Sequence, residues 1–306
     1  MKKVVGWMRV ASLMGAMGFG PGATSQAQTA AQPAPDHPAV TVQGRTYTPR
    51  SILARNMGTP EDQATAFPPH QIIGNIYYVG TRTLSSFLVV TPQGNILIDS
   101  TYERNVRAIE KSVKDLGFRF SDIKILLGSH AHGDHQEGDA LVKELTGAQV
   151  MAMAEDVPAL AAIQPGGKTH PIDRMLHDGE AVTLGGTTLV AHLTPGHTRG
   201  CTTWTTKAQE GGKTYDVVIH CSLRSPAVLT PAIVAEFNRS FPLVRALPCD
   251  VPLGDHPAQY NLQEKYAKVR KGGANPFLDA AHCKAEADIE EAMFHAILDE
   301  QKSAVH

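Results

Sequence analysis

The chain has 306 residues, enough for one large domain or two small ones. With 42% hydrophobic and 19% charged residues it can bury a sizeable core, which excludes a disordered chain. A formal net charge of −2, an aromatic content of 6% and the lack of any basic run exclude a nucleic acid as partner.

Residues 1–27 carry the pattern of a secretory signal peptide. Lys2, Lys3 and Arg9 form a basic start, residues 10–19 are apolar and small, and Ser25-Gln26-Ala27 is a small-x-small cleavage site. The apolar run is about half of the ~20 residues that a membrane span needs, so it reads as a cleaved leader rather than an anchor. The expectation is a protein of a bacterial periplasm, free of the membrane after cleavage. In such an oxidising compartment the four cysteines, Cys201, Cys221, Cys249 and Cys283, point to disulfides, with three pairings open on count alone. Residues 28–45, rich in Ala, Gln, Pro and Thr, read as an N-terminal tail. A single domain is then expected over residues 46–306.

Within it, residues 46–70 read as a short helix with loops. Residues 72–79 are β-rich around a Gly74-Asn75 turn, and residues 86–98 form a hairpin turning at Pro92-Gln93-Gly94-Asn95. Residues 106–116 have helical periodicity and stop at Gly117. The apolar run 123–127 reads as a buried strand. Residues 139–145 are a short helix, 149–153 a strand and 156–163 a helix. Residues 164–171 make a polar, breaker-rich loop long enough to flank a site. Hairpins follow over 181–193, turning at Gly185-Gly186, and over 202–206 with 215–219, joined through Glu210-Gly211-Gly212. The remainder is mostly helical, and the helical spacing of apolar residues over 277–298 should close the fold. This order predicts an α/β protein, two mixed sheets packed face to face with helices on both outer faces, an αββα sandwich.

The strand at 123–127 feeds directly into Gly128-Ser129-His130-Ala131-His132-Gly133-Asp134-His135. Imidazole and carboxylate together suit zinc better than calcium or magnesium, which take oxygen, or iron–sulfur clusters, which take thiolates. His130 and His132, at i and i+2 of an extended segment, point the same way, and Asp134 and His135 point elsewhere. Four ligands in one loop crowd a single tetrahedral ion, so the pattern predicts two metals completed from distant loops. His197, in Thr194-Pro195-Gly196-His197-Thr198, and His256, in Leu253-Gly254-Asp255-His256-Pro257, sit in turn chemistry that holds an imidazole outward.

His130-x-His132-x-Asp134-His135, followed by the Pro-Gly-His-Thr histidine and a late histidine, resembles the metallo-β-lactamase superfamily over about residues 70–290. Glyoxalase II-type hydrolases and lactonases of that superfamily usually carry a metal-bridging aspartate after the strand at 215–219, and subclass B1 β-lactamases carry a cysteine ligand. Here the chain reads His220-Cys221-Ser222-Leu223-Arg224-Ser225. That is similar to subclass B3 metallo-β-lactamases, which place a serine where Ser222 stands. Residues 195–204 and 173–179 are similar to B3 as well.

The resemblance implies the metallo-β-lactamase fold and two zinc ions. His130, His132 and His197 would hold zinc 1, and Asp134, His135 and His256 zinc 2. It implies that a zinc-bound hydroxide opens the lactam of a small-molecule β-lactam (a penicillin, cephalosporin or carbapenem), which confers antibiotic resistance. Asp134 would be catalytic by orienting the nucleophile. Ser222, Arg224 and, more weakly, Ser225 would meet the substrate carboxylate. The disulfides Cys249–Cys283 and Cys201–Cys221 follow from the same resemblance, and Cys221 is a metal ligand only under the B1 pattern. Asp99 is implied to support the metal loop from behind. Gln136 and Glu137 stand where the family commonly has small residues and are expected among the groups around the metal ligands, with Glu137 placing an acid beside the site. The other histidines, among them His70, His170, His177, His192, His220 and His282, are expected to be structural, and Trp204 to lie in the core. A monomer is the default expectation. The competing readings are a lactonase or thioesterase of the same fold and a non-catalytic periplasmic zinc-binding protein.

Overall fold

The computed structural model describes residues 37–304, so the expected leader and most of the expected tail lie outside the described residues. The chain opens with a hairpin, β1 (Val40–Val42) and β2 (Arg45–Tyr47), turning at Gln43 and Gly44, both with positive φ. Such a turn suits the twist of a two-stranded ribbon. This hairpin lies partly inside the stretch read as tail, where Val40, Val42 and Tyr47 find an apolar partner in the C-terminal helix cluster. Two short helices follow where one was expected, α1 (Pro49–Met57) and α2 (Pro60–Ala64). Each has a threonine N-cap and a proline in its first turn.

The first sheet has seven strands in chain order. Strands β3 (His70–Ile73), β4 (Ile76–Tyr78), β5 (Phe87–Thr91) and β6 (Gly94–Ile98) form an antiparallel meander. After α3 (Val106–Asp115), β7 (Ile123–Leu127) joins parallel to β6. The metal-compatible segment follows, with α4 (Gly133–Gln136) inside it and α5 (Asp139–Thr146) after it. Strand β8 (Gln149–Met153) is parallel to β7. A 3-10 turn (Ala154–Asp156) and α6 (Val157–Leu160) lead to β9 (Arg174–Leu176), again parallel. The helix expected over 156–163 is thus one α-turn, with Pro158 confined to its start and Pro165 pushing the preceding chain out of helix.

The second sheet has five strands. Strands β10 (Ala181–Leu184), β11 (Thr187–Leu193), β12 (Thr202–Glu210) and β13 (Lys213–His220) are antiparallel. Strand β14 (Val251–Gly254) returns parallel to β13 after α7 (Pro231–Ala246). Strands β12 and β13 run further than expected because Gly211 and Gly212, both at positive φ, close a tight two-residue turn. Helices α8 (Leu262–Val269) and α9 (Ala285–Ser303) complete the chain. Helix α9 starts eight residues later than the apolar spacing suggested. Phe277 is buried in the core between the sheets, and Cys283 is joined to Cys249, so residues 277–284 make turns and a 3-10 turn (Ala280–His282) before the helix starts.

The two sheets pack face to face. Ile98, Leu127 and Met153 of the first meet Ala191, Trp204, Ile219 and Leu253 of the second in one apolar layer. The other face of the first sheet, through Leu97, Leu126 and Val150, buries against Ile109 and Val113 of α3 and Val142 of α5. A third cluster joins Phe237 and Phe241 of α7 with Met293 and Phe294 of α9. The αββα expectation holds. Its consequence for the site is directional: β6, β7, β8 and β14 all release their chains, at their carboxyl ends, toward the same cleft.

Candidate metal centre

The segment after β7 is pinned before it carries any ligand. A Cβ at Gly128 would lie 2.1 Å from the side-chain carbon of Gln136, so any larger residue there would displace the Gln136 amide. The Trp204 indole donates to the Gly128 carbonyl at 3.1 Å, and Thr202 N donates to the Ser129 carbonyl at 2.8 Å. The loop is thereby tied to the opposite sheet, and Trp204 is core, as expected. Residues 129–132 bend rather than run extended, with His132 N donating to the His130 carbonyl at 2.8 Å, and His132 is the N-cap of α4. Asp134 and His135 lie on the helical turn itself. That change of backbone sends the two pairs in different directions.

His130 Nε2 and His132 Nδ1 stand 3.0 Å apart, and the His197 ring lies 4.7 Å from the first and 4.8 Å from the second, centre to centre. Ligand atoms of these three residues fall within 4.8 Å of one another, as do those of Asp134, His135 and His256. The Asp134 carboxylate is 3.3 Å from His135 Nε2 and 3.8 Å from His256 Nε2. All six predicted ligands are therefore brought together, in the two groups expected.

The second nitrogens explain why these rings suit a cation. His197 Nδ1 donates to the Arg224 carbonyl at 2.8 Å, and His256 Nδ1 to the Thr83 carbonyl at 3.0 Å. A carbonyl can only accept, so Nδ1 holds the proton and Nε2 keeps a free lone pair. His135 Nδ1 faces Asp99 at 3.1 Å, and His130 Nδ1 faces Asp255 at 3.3 Å. His135 Nε2 is buried and faces the Asp134 carboxylate. Burial holds His130 well below the ordinary imidazole range, helped by its histidine neighbours, and takes His197 down to about 3. Both are neutral imidazoles, the form that ligates. Burial works against the charge on Asp134, but His135, His256 and His130 outweigh it and hold the carboxyl far below its usual range. The donor set fits one or two borderline-soft divalent ions.

Three buried aspartates brace the cleft from behind. Asp99 accepts from Ser129 N at 2.7 Å, from Ser129 Oγ at 2.8 Å and from His135. This is the supporting place expected for it. Asp99 and Thr101 both have positive φ, 60° and 58°, a costly conformation for a β-branched residue. It is held by Thr101 N donating to the His135 carbonyl and Gly138 N to the Thr101 carbonyl, each at 2.9 Å. Asp156 accepts from Ala131 N, Thr198 Oγ1 and Gly200 N at 2.7–2.8 Å. Asp255 accepts from Ser222 N at 2.7 Å. Sequence reasoning missed Asp156 and the supporting part of Asp255. The signal available was position, since each follows a buried strand at its carboxyl end.

The remaining candidates separate. Ser222 is buried beside the cleft with its N–H on Asp255. Arg224 is half-buried, and its charge helps to lower His132 and His197, which places the guanidinium within electrostatic reach of the first ligand group. Ser225 is buried, and its hydroxyl has no partner among the described residues. Gln136 is buried, with its side-chain amide packed against Gly128. Glu137 lies near Gly133 and Tyr102 at the end of α4. Cys201 pairs with Cys221, and Cys249 with Cys283. Cys221 has no thiolate to offer a metal, which rules out the B1 pattern.

His170 faces Asp139, His192 is bonded to Thr205, and His282 to the Gln259 carbonyl, all structural contacts. The one Ser-x-x-Lys in the chain, Ser121-Asp122-Ile123-Lys124, sits at the other end of β7, where Lys124 donates to the Ser121 carbonyl. It offers no serine nucleophile. Among the described residues no helix is long and apolar enough to cross a membrane.

Residues 79–209 match the metallo-β-lactamase superfamily. The FEZ-1 metallo-β-lactamase of Legionella gormanii is 44% identical with a TM-score of 0.75, over 78% of this chain and 98% of that one. BJP-1, a subclass B3 metallo-β-lactamase of Bradyrhizobium japonicum, is 34% identical with a TM-score of 0.74, over 80% and 99%. A hydroxyacylglutathione hydrolase of Methylobacterium nodulans is 34% identical over 90 residues, 29% of this chain, and the match spans only about a third, 31%, of that curated relative. With the two ligand groups, the paired cysteines and near-complete coverage of these solved enzymes, the chain belongs to the metallo-β-lactamase superfamily, among its subclass B3 metallo-β-lactamases.

Proposed function

We propose that this protein is an exported, monomeric, dizinc enzyme of the periplasm that opens the amide bond of β-lactam antibiotics. His130, His132 and His197 would hold one zinc ion, and Asp134, His135 and His256 the other. Two zinc ions there supply Lewis acidity and bring the pKa of water toward about 7.

The chain's own residues supply the rest. The Arg224 and Thr83 carbonyls and the Asp99 and Asp255 carboxylates hold one edge of His197, His256, His135 and His130, so that the other edge of each ring faces the cleft. Asp134, charged at all working pH values, fixes the orientation of a water proton beside its own half-site. Arg224 offers a cation to the carboxylate that β-lactams carry, and Ser222 lines the same side. The observation that carries the reading is the pair of ligand groups side by side in one cleft, with Ser222 where lactonases and glyoxalase II-type hydrolases usually carry a bridging aspartate.

Hydrolysis of a chromogenic cephalosporin and of a carbapenem, measured with and without a chelator, tests it. Turnover that chelation removes supports the reading, and a zinc-loaded protein without turnover overturns it. The 90-residue likeness to a hydroxyacylglutathione hydrolase favours a second reading, a thioesterase. Turnover of a glutathione thioester in place of both β-lactams would select that one.

A further inference from the structure

We infer that Asp156 is the positioning residue of the first half-site: it aligns His132 and His197 on a common ion and leaves the second half-site untouched. This rests on the reading of His130, His132 and His197 as ligands. Asp156 closes the 3-10 turn after β8 and is 2% exposed. Its Oδ2 accepts from Ala131 N and from Thr198 Oγ1, both at 2.8 Å, and its Oδ1 from Gly200 N at 2.7 Å. Ala131 separates His130 from His132, and Thr198 follows His197. One carboxylate thus joins the ligand loop of the first sheet to the ligand loop of the second. The approach is close enough that a Cβ on Gly200 would lie 2.5 Å from Asp156 N and 2.6 Å from Asp156 Cβ. The second half-site is braced elsewhere, by Asp99 on His135 and by the Thr83 carbonyl on His256.

Three donors on two oxygens require a carboxylate. An amide accepts through one atom only, so Asp156→Asn must turn its NH2 toward at least one N–H or O–H. Supporting groups of this kind change metal affinity without touching the metal.

The test measures zinc(II) affinity by competition with a chromogenic chelator in two backgrounds. His256→Ala isolates the first half-site, and His197→Ala isolates the second. Asp156→Asn is expected to weaken zinc by about 10–100-fold in the first background and by less than about twofold in the second. No loss in the first background overturns the inference, and so does an equal loss in both, which is what a merely structural residue would give. Circular dichroism and a melting curve of each metal-free variant establish that it folds. If Asp156→Asn does not fold, Thr198→Val, which removes one of the three donors, is read the same way, with a smaller loss confined to the first background. If the His256→Ala protein binds no zinc before Asp156 is changed, the ligand assignment fails and this inference with it, a result that differs from zinc bound but indifferent to Asp156.

Discussion

The two half-sites share one six-residue stretch and differ in almost everything else. The first is three imidazoles with no carboxylate, and burial holds each below the ordinary imidazole range. The second contains Asp134, and there the order reverses. Burial lowers His135, but Asp134 and Asp99 outweigh it and raise that imidazole well above its usual range. The cause of the division is backbone, not composition: the chain bends sharply through residues 129–132 and is helical from Gly133. What the half-sites share is their reach. Each takes its last candidate ligand from the second sheet, His197 after β11 and His256 after β14, so an ion bound in either would hold the two sheets together.

The sharpest way to break this comparison is to remove one reaching ligand at a time. His197→Ala and His256→Ala should each bind one zinc equivalent instead of two, and each should lose about 10³-fold or more in kcat/KM, because several kcal/mol of charge stabilisation go with each ion. Metal content by atomic emission, measured beside the kinetics, is the check. Two equivalents retained by either variant would mean that the groups are not independent half-sites.

Next in size is the effect of removing metal altogether. An ion bound at a thousand times its Kd adds about 4 kcal/mol to the folded state. A chain of this size shifts its Tm by roughly 2–4 °C per kcal/mol, so chelation should lower the melting temperature by about 10 °C or more. Scanning calorimetry before and after chelation measures it. An unchanged Tm would show that the ions do not staple the sheets.

How far each half-site could be read from sequence follows from how local its parts are. His130, His132, Asp134 and His135 were legible because strand and ligands are contiguous. His197 and His256 were legible because a Pro-Gly or Gly-Asp turn after a strand advertises an outward side chain. The helices α3 and α5 were legible from their spacing and their terminal glycines. Asp156 was not legible, because its three donors lie 25, 42 and 44 residues away and two of them are backbone N–H groups that any sequence supplies. The contact of Gln136 with Gly128 was not legible either, because the turn of α4 makes it. The start of α9 was misread because apolar spacing over 277–284 serves the inter-sheet core instead.

The disulfides sharpen the comparison at a smaller scale. Cys201–Cys221 lies at the first half-site, with Cys221 Sγ 3.6 Å from His130 Nδ1, and Cys249–Cys283 fastens the chain before β14 to the approach of α9. Replacing either pair with serines should cost about 2–4 kcal/mol. Only the Cys201→Ser/Cys221→Ser protein should also bind its first zinc less tightly. Urea denaturation and zinc competition on both proteins separate the effects. A loss of zinc affinity of the same size in the Cys249→Ser/Cys283→Ser protein would remove the distinction.

The smallest effect tests what the half-sites have in common. Gly128 precedes His130 and Gln136 follows His135, so their contact closes the ligand loop on itself. Gly128→Ala places a methyl group 2.1 Å from the Gln136 side-chain carbon, and overpacking of that kind costs about 1–3 kcal/mol. Gln136→Ala removes the obstructing amide, so the double variant should be more stable than the sum of the single effects by about 0.5–3 kcal/mol. The measurement is urea denaturation of the four metal-free proteins in a double-mutant cycle. Because the clash lies behind both half-sites, zinc affinity in Gly128→Ala should fall at the two sites alike. A loss confined to one of them would place the strain on that side of α4 and show that the loop does not move as a unit.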